Sequence, residues 1–125
     1  MTALHDLPAQ DLLAAYRQRT LSPVEVTQAV LAHMARWEPH IRATYLLRPE
    51  HALAQARASE ARWQRGEPQG LLDGVPVTIK ENIATQGDPT PLGTAAVPLV
   101  PAAADAPPAA RLREAGAVMV AKTTM

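Results

Sequence analysis

The sequence predicts an α/β fold in which N-terminal helices precede the first strands of a mixed, largely parallel sheet flanked by helices. Residues 1–70 carry repeated helix-start signals and helically spaced apolar residues, which indicate a helical lead-in. Residues 74–122 follow the order strand, long crossover with a helix, apolar strand, which is typical of a parallel βαβ unit. Two such strands leave faces and edges uncovered, so we expect residues 1–125 to be the N-terminal part of a single larger domain.

The amino-acid composition gives no support for several classes of function. The chain has 125 residues, with 12 Lys plus Arg and 12 Asp plus Glu. This balance gives no support for direct nucleic-acid binding or for an anionic membrane surface as partner. The absence of cysteine excludes disulfides and thiolate chemistry and suits a reducing compartment, so the cytoplasm is the expected location. No apolar run approaches the ~20 residues of a membrane span.

Two helices are predicted before residue 40. Asp6 is the expected cap of a short first helix, with Pro8 in its first turn. Ser22 and Glu25 form the capping-box pattern of a second helix. Apolar residues follow at helical spacing, and Pro39 is expected to end this helix.

A short extended segment at 44–47 precedes a third, alanine-rich helix. Pro49 opens this helix, and Gly66 is its expected C-terminal stop. A core with no phenylalanine and much alanine has to rely on aliphatic side chains and close helix contacts. Three arginines of this helix are interpreted as a solvated face: Arg57, Arg62 and Arg65.

The stretch GVPVTIKEN at 74–82 is the predicted first strand of the βαβ unit. Val75, Val77 and Ile79 alternate with polar or proline positions and define one apolar face. Lys80 falls on the opposite face at the strand's end. On the strand pattern alone, Lys80 reads as a solvated lysine.

The crossover contains a long irregular segment. Residues 85–108 hold six of the twelve prolines, and a segment of this kind is often a lid or a binding surface. Asp105 is the expected cap of the next helix, which Gly116 stops. Residues 117–121 read as a buried second strand.

Few residues in the chain are candidates for a nucleophile, a base or a metal ligand. The two serines have structural explanations, since Ser22 caps a helix and Ser59 lies inside one. The four histidines are dispersed without metal-ligand spacing, and no phosphate-binding loop occurs, so no metal or cofactor is expected. The two lysines, Lys80 and Lys122, both lie near the carboxyl ends of predicted parallel strands, where open α/β sheets bind ligands. A lysine acts as a base only when burial lowers its pKa by several units from ~10.4.

The segments LLDGVPVTIKENIATQGDPTPLGT and DAPPAARLREAGAVMVAKTTM resemble the N-terminal part of the amidase signature family. The match keeps order and spacing over some fifty residues, and the helical region before residue 70 is similar in kind. The matching positions are Gly74, Val75, Pro76 and Lys80, then Gly87, Thr90, Gly93 and Thr94, then Asp105 and Ala106, then Leu112, Arg113, Ala115, Gly116 and Ala117, and finally Lys122, Thr123 and Met125.

The resemblance implies an amide hydrolase with a Ser, cis-Ser, Lys triad acting on a small-molecule amide through an acyl-serine intermediate. Lys80 matches the family's lysine base, and its strand is expected to desolvate it. Both serines of the triad are expected after Met125, so the 125-residue chain is expected to be inactive alone. Lys122 is the rival for the base, and Lys80 is favoured on the family match. The full-length protein is a possible homodimer.

Two further functions stay open at this point. One is a glutamine-hydrolysing subunit of a tRNA-dependent amidotransferase, which belongs to the same family. The other is a truncated, non-catalytic fragment that serves as a helical interaction module or has no function. Ammonia release from glutamine only in the presence of partner subunits would indicate the first of these.

Overall fold

A computed structural model describes residues 2–125, which contain four α-helices and three β-strands. After a 3₁₀ turn at Leu4–Asp6, the elements are α1 (Ala9–Gln18), α2 (Pro23–Ile41), β1 (Thr44–Leu47), α3 (Pro49–Gln64), β2 (Pro76–Lys80), α4 (Pro107–Glu114) and β3 (Val118–Thr123). The strand order is β1-β3-β2. Strands β2 and β3 are parallel and β1 joins β3 antiparallel, so the sheet is mixed. The predicted α/β fold class is confirmed.

The capping box predicted for α2 is present. Ser22 Oγ accepts a hydrogen bond from the Glu25 N–H at 3.1 Å, and the Glu25 carboxylate accepts one from the Ser22 N–H at 2.8 Å. The prediction that Pro39 ends α2 is wrong, because α2 continues to Ile41. Pro39 lies in the last turn, where its missing N–H removes a single bond of the helix ladder, and the helix instead ends where Arg42 turns left-handed with φ of 47°.

Two predicted aspartate caps are also wrong. Asp6 belongs to the 3₁₀ turn, and Pro8 is the N-cap residue of α1, in an extended conformation that leads directly into the helix. The cap residue of α4 is Ala106, which makes no side-chain hydrogen bond. Asp105 is engaged elsewhere: its carboxylate accepts hydrogen bonds from Arg113 at 2.7 Å and from the Gln86 N–H at 2.8 Å.

Buried alanines join α3 to the sheet. Ala52 and Ala56 are fully buried and pack with Val118 and Val120 of β3. Their small side chains let α3 lie close to its neighbours, as the alanine-rich composition predicts. A second cluster of Leu12, Tyr16, Val26 and Trp63 joins α1, α2 and α3. Within residues 2–125, none of the helices has both the length and the hydropathy of a membrane span.

Candidate active site

A buried carboxylate fixes the chain where it enters β2. The Asp73 side chain is fully buried and accepts hydrogen bonds from Ser59 Oγ at 2.6 Å and from the Gln69 N–H at 2.6 Å. Arg62 adds two more bonds, from Nε at 2.8 Å and from Nη2 at 2.7 Å. The interpretation of Arg62 as part of a solvated face is therefore wrong, since its guanidinium binds a carboxylate on a different segment of the chain.

The electrostatics of this cluster follow from its contacts. Burial by itself raises the pKa of Asp73, but hydrogen bonds from Arg62, Gln69 and Ser59 outweigh burial, and the net direction is downward. The carboxylate therefore stays ionised, and its oxygens hold α3 against the segment that precedes β2.

Gly74 follows in a conformation that favours glycine, with φ of +85°. A Cβ at this position would lie 2.7 Å from Ser59 Oγ and 2.8 Å from Pro23 Cγ, so the surrounding helices leave no space for a side chain. The Tyr16 hydroxyl donates to the Gly74 carbonyl at 2.9 Å. Burial, with the Asp73 charge as a second cause, raises the pKa of Tyr16, which keeps the hydroxyl protonated as a donor. All three helices before β2 thus fix the start of the strand.

Strand β2 carries Lys80 at its carboxyl end. The predicted alternation is confirmed, because Val75 and Ile79 are 7% and 4% exposed while Lys80 is exposed. Lys80 pairs with Thr123 in the parallel register of β2 and β3. The expected desolvation of Lys80 is not found in residues 2–125, where Lys80 is a solvated lysine at a strand end.

The buried lysine is Lys122. Its side chain is 1% exposed, and its Nζ donates a hydrogen bond to the Ile83 carbonyl at 2.9 Å. Burial lowers the pKa of Lys122, and the carboxylates of Asp88 and Glu81 oppose that change in part. The strand that holds Lys122 extends to Thr123, two residues beyond the predicted end at 121.

The segment after Lys80 is tied to the end of β3. Glu81 is 4% exposed, its N–H donates to the Thr123 carbonyl at 2.8 Å, and its carboxylate accepts from the Met125 N–H at 2.7 Å. The Ile83 N–H donates back to the Lys80 carbonyl at 3.0 Å. The backbone that follows Lys80 is therefore hydrogen-bonded both to the end of β3 and to Lys80 itself.

The irregular segment of the crossover is held by hydrogen bonds near its ends and is exposed in its middle. The buried Asp88 pairs with Arg48 and accepts a hydrogen bond from Thr85 Oγ1 at 2.8 Å. The Ala102 N–H donates to the Asp88 carbonyl at 2.9 Å. Residues 92–100, by contrast, are all exposed. The prediction of a mostly irregular crossover before α4 is confirmed.

Two of the cavities border the sheet. A groove of about 640 Å³ runs between α2 and the sheet and is lined by Leu7, His33, Met34, Trp37, Val75 and Val120, among others. A smaller cavity of about 200 Å³ is lined by Arg48, His51, Asp88, Arg113 and Lys122, among others. Lys80 lines neither of these two cavities.

The remaining candidate residues have structural contacts. Ser22 and Ser59 are engaged in the capping box and with Asp73, as the sequence predicts for residues without a nucleophilic role. His33 is half-buried, and its ring stacks on His5 with centroids 3.7 Å apart. No group of three metal-ligating side chains occurs within residues 2–125.

The polar network behind β2 was not predicted from the sequence. Asp73 precedes a glycine and was readable only as a turn residue, because its partners lie 11 and 14 residues away on α3. Glu81 and Asp88 gave no sign of burial either, since a single carboxylate in a loop is usually exposed. The only sequence feature that pointed to this network was the abundance of turn residues on both sides of a short apolar strand.

The comparisons with known proteins identify the family. A family model described as Amidase matches residues 25–125, which is most of the chain. The chain therefore belongs to the amidase family, as the resemblance to amidase signature enzymes predicts. The matched span includes β2, β3 and both lysines.

Individual relatives agree with this assignment. The chain is 42% identical over 122 residues to a glutamyl-tRNA(Gln) amidotransferase subunit of Chloroflexus aurantiacus, covering 98% of this chain and 25% of that protein. It is 37% identical over 123 residues to the putative amidase AmiD of Mycobacterium tuberculosis, covering 98% of this chain and 26% of that protein. The native peptide amidase of Stenotrophomonas maltophilia superposes with a TM-score of 0.85 at 32% identity, covering 94% of this chain and 24% of that one. The chain thus spans about a quarter of the length of the curated relatives it matches.

Proposed function

We propose that this chain contributes the lysine base of an enzyme that hydrolyses the amide bond of a small carboxamide. The observation that supports this most is the match of residues 25–125 to the amidase family, since that span contains the GVP-Lys segment around Lys80. Lys80 stands at the carboxyl end of a parallel strand, where α/β sheets commonly bind ligands. Its solvation in residues 2–125 means that other parts of the working enzyme have to cover it.

The proposed chemistry proceeds through an acyl-serine. The neutral Lys80 amine accepts a proton from a bridging serine, which takes the proton of a nucleophilic serine as that oxygen attacks the amide carbonyl. Collapse of the tetrahedral intermediate returns a proton to the leaving amine, and water then hydrolyses the ester to the carboxylic acid. Neither serine of this chain is available, because Ser22 and Ser59 are both engaged in structural hydrogen bonds. The two catalytic serines are proposed to lie outside these 125 residues.

The test is made on the protein at the full length that its gene encodes. Release of p-nitroaniline from p-nitroacetanilide, or of ammonia from L-glutamine, is compared between the wild type and Lys80→Met. Arg57→Met, which removes one exposed charge from α3, is the matched control. We expect Lys80→Met to lose at least ~1,000-fold in rate, given what removal of a base or nucleophile costs. Activity of Lys80→Met close to that of the control would refute the role of Lys80.

The second candidate is a glutamine-hydrolysing amidotransferase subunit. The observation that favours it is the 42% identity to the amidotransferase subunit of Chloroflexus aurantiacus. Glutamine hydrolysis that appears only when partner subunits are added would support this candidate over a free-standing amidase. Hydrolysis by the 125-residue chain alone would contradict both versions of the proposal, since the chain is expected to be inactive without the serines.

A further inference from the structure

The ammonium of Lys122 is buried, although an apolar side chain at this position would avoid the desolvation cost of a charge. Lys122 is 1% exposed on β3, between buried neighbours Val120 and Ala121 on one side and the strand's end on the other. Taking an ammonium out of water is expensive, so a buried lysine is informative about what its nitrogen contacts. Within residues 2–125 its hydrogen-bond acceptor is the Ile83 carbonyl, and no carboxylate forms an ion pair with it.

The nearby carboxylates have other partners. Asp88 binds Arg48 and Thr85, and Glu81 accepts from the Met125 N–H. Their charges still attract the Lys122 ammonium at longer range. Within residues 2–125, the one direct hydrogen bond of the Lys122 nitrogen is therefore to the Ile83 carbonyl.

That carbonyl belongs to the turn that follows Lys80. The Ile83 N–H donates to the Lys80 carbonyl at 3.0 Å, and the Ile83 carbonyl accepts from Lys122 at 2.9 Å. Ile83 thus connects the two lysines through a pair of hydrogen bonds. On the other side, the Glu81 N–H is bound to the Thr123 carbonyl, next to Lys122 along β3.

We propose that Lys122 is a positioning residue for Lys80, acting through the Ile83 carbonyl to fix the turn that sets where the Lys80 side chain leaves the sheet. This inference rests on the proposed function, in which Lys80 is the base. Lys122 itself does not touch the reacting atoms in this role. A displacement of about 1 Å at a catalytic group can cost ~100-fold in rate, so loss of this contact has a measurable consequence.

The kinetic test uses the protein at its full encoded length with p-nitroacetanilide or L-glutamine as the probe. Lys122→Met keeps the apolar stem and removes the ammonium, while Arg57→Met controls for the loss of one positive charge. We expect Lys122→Met to lower kcat by ~10- to 100-fold with KM within about 2-fold of wild type, and to change the pH profile of kcat/KM. A purely structural role would lower the amount of folded enzyme but leave kcat per folded enzyme and the shape of the pH profile unchanged.

The outcomes separate the two proposals. If Lys80→Met retains wild-type activity, the proposed function fails and this inference fails with it. If Lys80→Met is inactive while Lys122→Met retains wild-type kcat and pH profile, only the positioning role of Lys122 is overturned.

A second measurement needs no folded Lys122 variant. In the protein at its full encoded length, labelled with ¹⁵N in lysine and ¹³C at the isoleucine carbonyl, the Lys122 ammonium is identified by its coupling across the hydrogen bond to the Ile83 carbonyl carbon. We expect this ammonium to exchange its protons at least ~10-fold more slowly than the ammonium of free lysine. Exchange at the rate of free lysine, or a Lys122 signal without this coupling, would overturn the proposal.

Discussion

Replacing Arg62 by methionine removes the charged partner of a carboxylate that has no access to water. Arg62 contributes two hydrogen bonds of 2.8 and 2.7 Å to Asp73, and its own side chain is 21% exposed. Breaking a buried pair from one side costs about 3–5 kcal/mol. The remaining bonds from Ser59 and Gln69 reduce that cost, so we expect Arg62→Met to lower the free energy of unfolding by about 2–4 kcal/mol.

Urea unfolding of the protein at its full encoded length, followed by tryptophan fluorescence, measures the loss, since Trp63 lies beside this cluster and donates to the Asp73 carbonyl. With a slope of about 3 kcal/mol per molar urea, a loss of about 3 kcal/mol moves the midpoint by about 1 M. Arg65→Met is the matched control, because Arg65 makes an exposed contact of 3.6 Å with Glu67, and its loss is expected to cost less than ~0.5 kcal/mol. A loss for Arg62→Met as small as that of Arg65→Met would refute the reasoning.

The same pair predicts a pH dependence. The pKa of Asp73 is lower in the folded chain than in the unfolded chain, so its contribution is complete above the unfolded value near ~3.9. That contribution is lost as the pH falls through the lowered folded pKa. Arg62→Met removes the main cause of the lowering, so the stability difference between wild type and variant is expected to shrink below about pH 4. A difference that stays constant from about pH 7 to about pH 2.5 would contradict this assignment.

Three further predictions concern single positions. Gly74→Ala is expected to lower the free energy of unfolding by about 2–4 kcal/mol in thermal unfolding, because φ is +85° and the added Cβ meets Ser59 Oγ at 2.7 Å. Gly66→Ala is the control, since a Cβ at Gly66 meets open space, and it is expected to cost about 1 kcal/mol. Thr27→Val is expected to leave the free energy of unfolding unchanged or to raise it by up to ~1 kcal/mol in the same assay, because the buried Thr27 hydroxyl has no hydrogen-bond partner within residues 2–125. A decrease of more than about 1 kcal/mol would contradict this and reveal a partner. Trinitrobenzenesulfonate is expected to modify Lys122 at least ~10-fold more slowly in the folded protein than in the urea-unfolded protein in peptide mass mapping, because the Lys122 side chain is buried, and equal rates would contradict that burial.

Local patterns in the sequence were sufficient for most of the secondary structure. The capping box at Ser22 and the alternation through Val75 and Ile79 depend on neighbours in sequence, and both are present in the fold. The errors at Asp6, Pro39 and Asp105 are all at helix ends, where a tertiary contact or the conformation of one residue decides the boundary.

The site was less predictable because its contacts are long-range. Arg62 meets Asp73 only when α3 packs beside the entry to β2, and Lys122 reaches Ile83 only once β2 and β3 are parallel neighbours. Burial of one lysine and exposure of the other follow from that packing and not from the composition of either strand. Lys80 was singled out through the resemblance to a family, and its assigned role stays a prediction.

Acyl-enzyme formation in a single turnover tests the central proposal most directly. The protein at its full encoded length is mixed with p-nitroacetanilide under excess enzyme, and the release of p-nitroaniline is followed for the wild type, Lys80→Ala and Lys122→Ala. We expect Lys80→Ala to abolish this first step, while Lys122→Ala slows it by ~10- to 100-fold without abolishing it. Normal acylation by Lys80→Ala, with acylation lost only in Lys122→Ala, would contradict the assignment of Lys80 as the base.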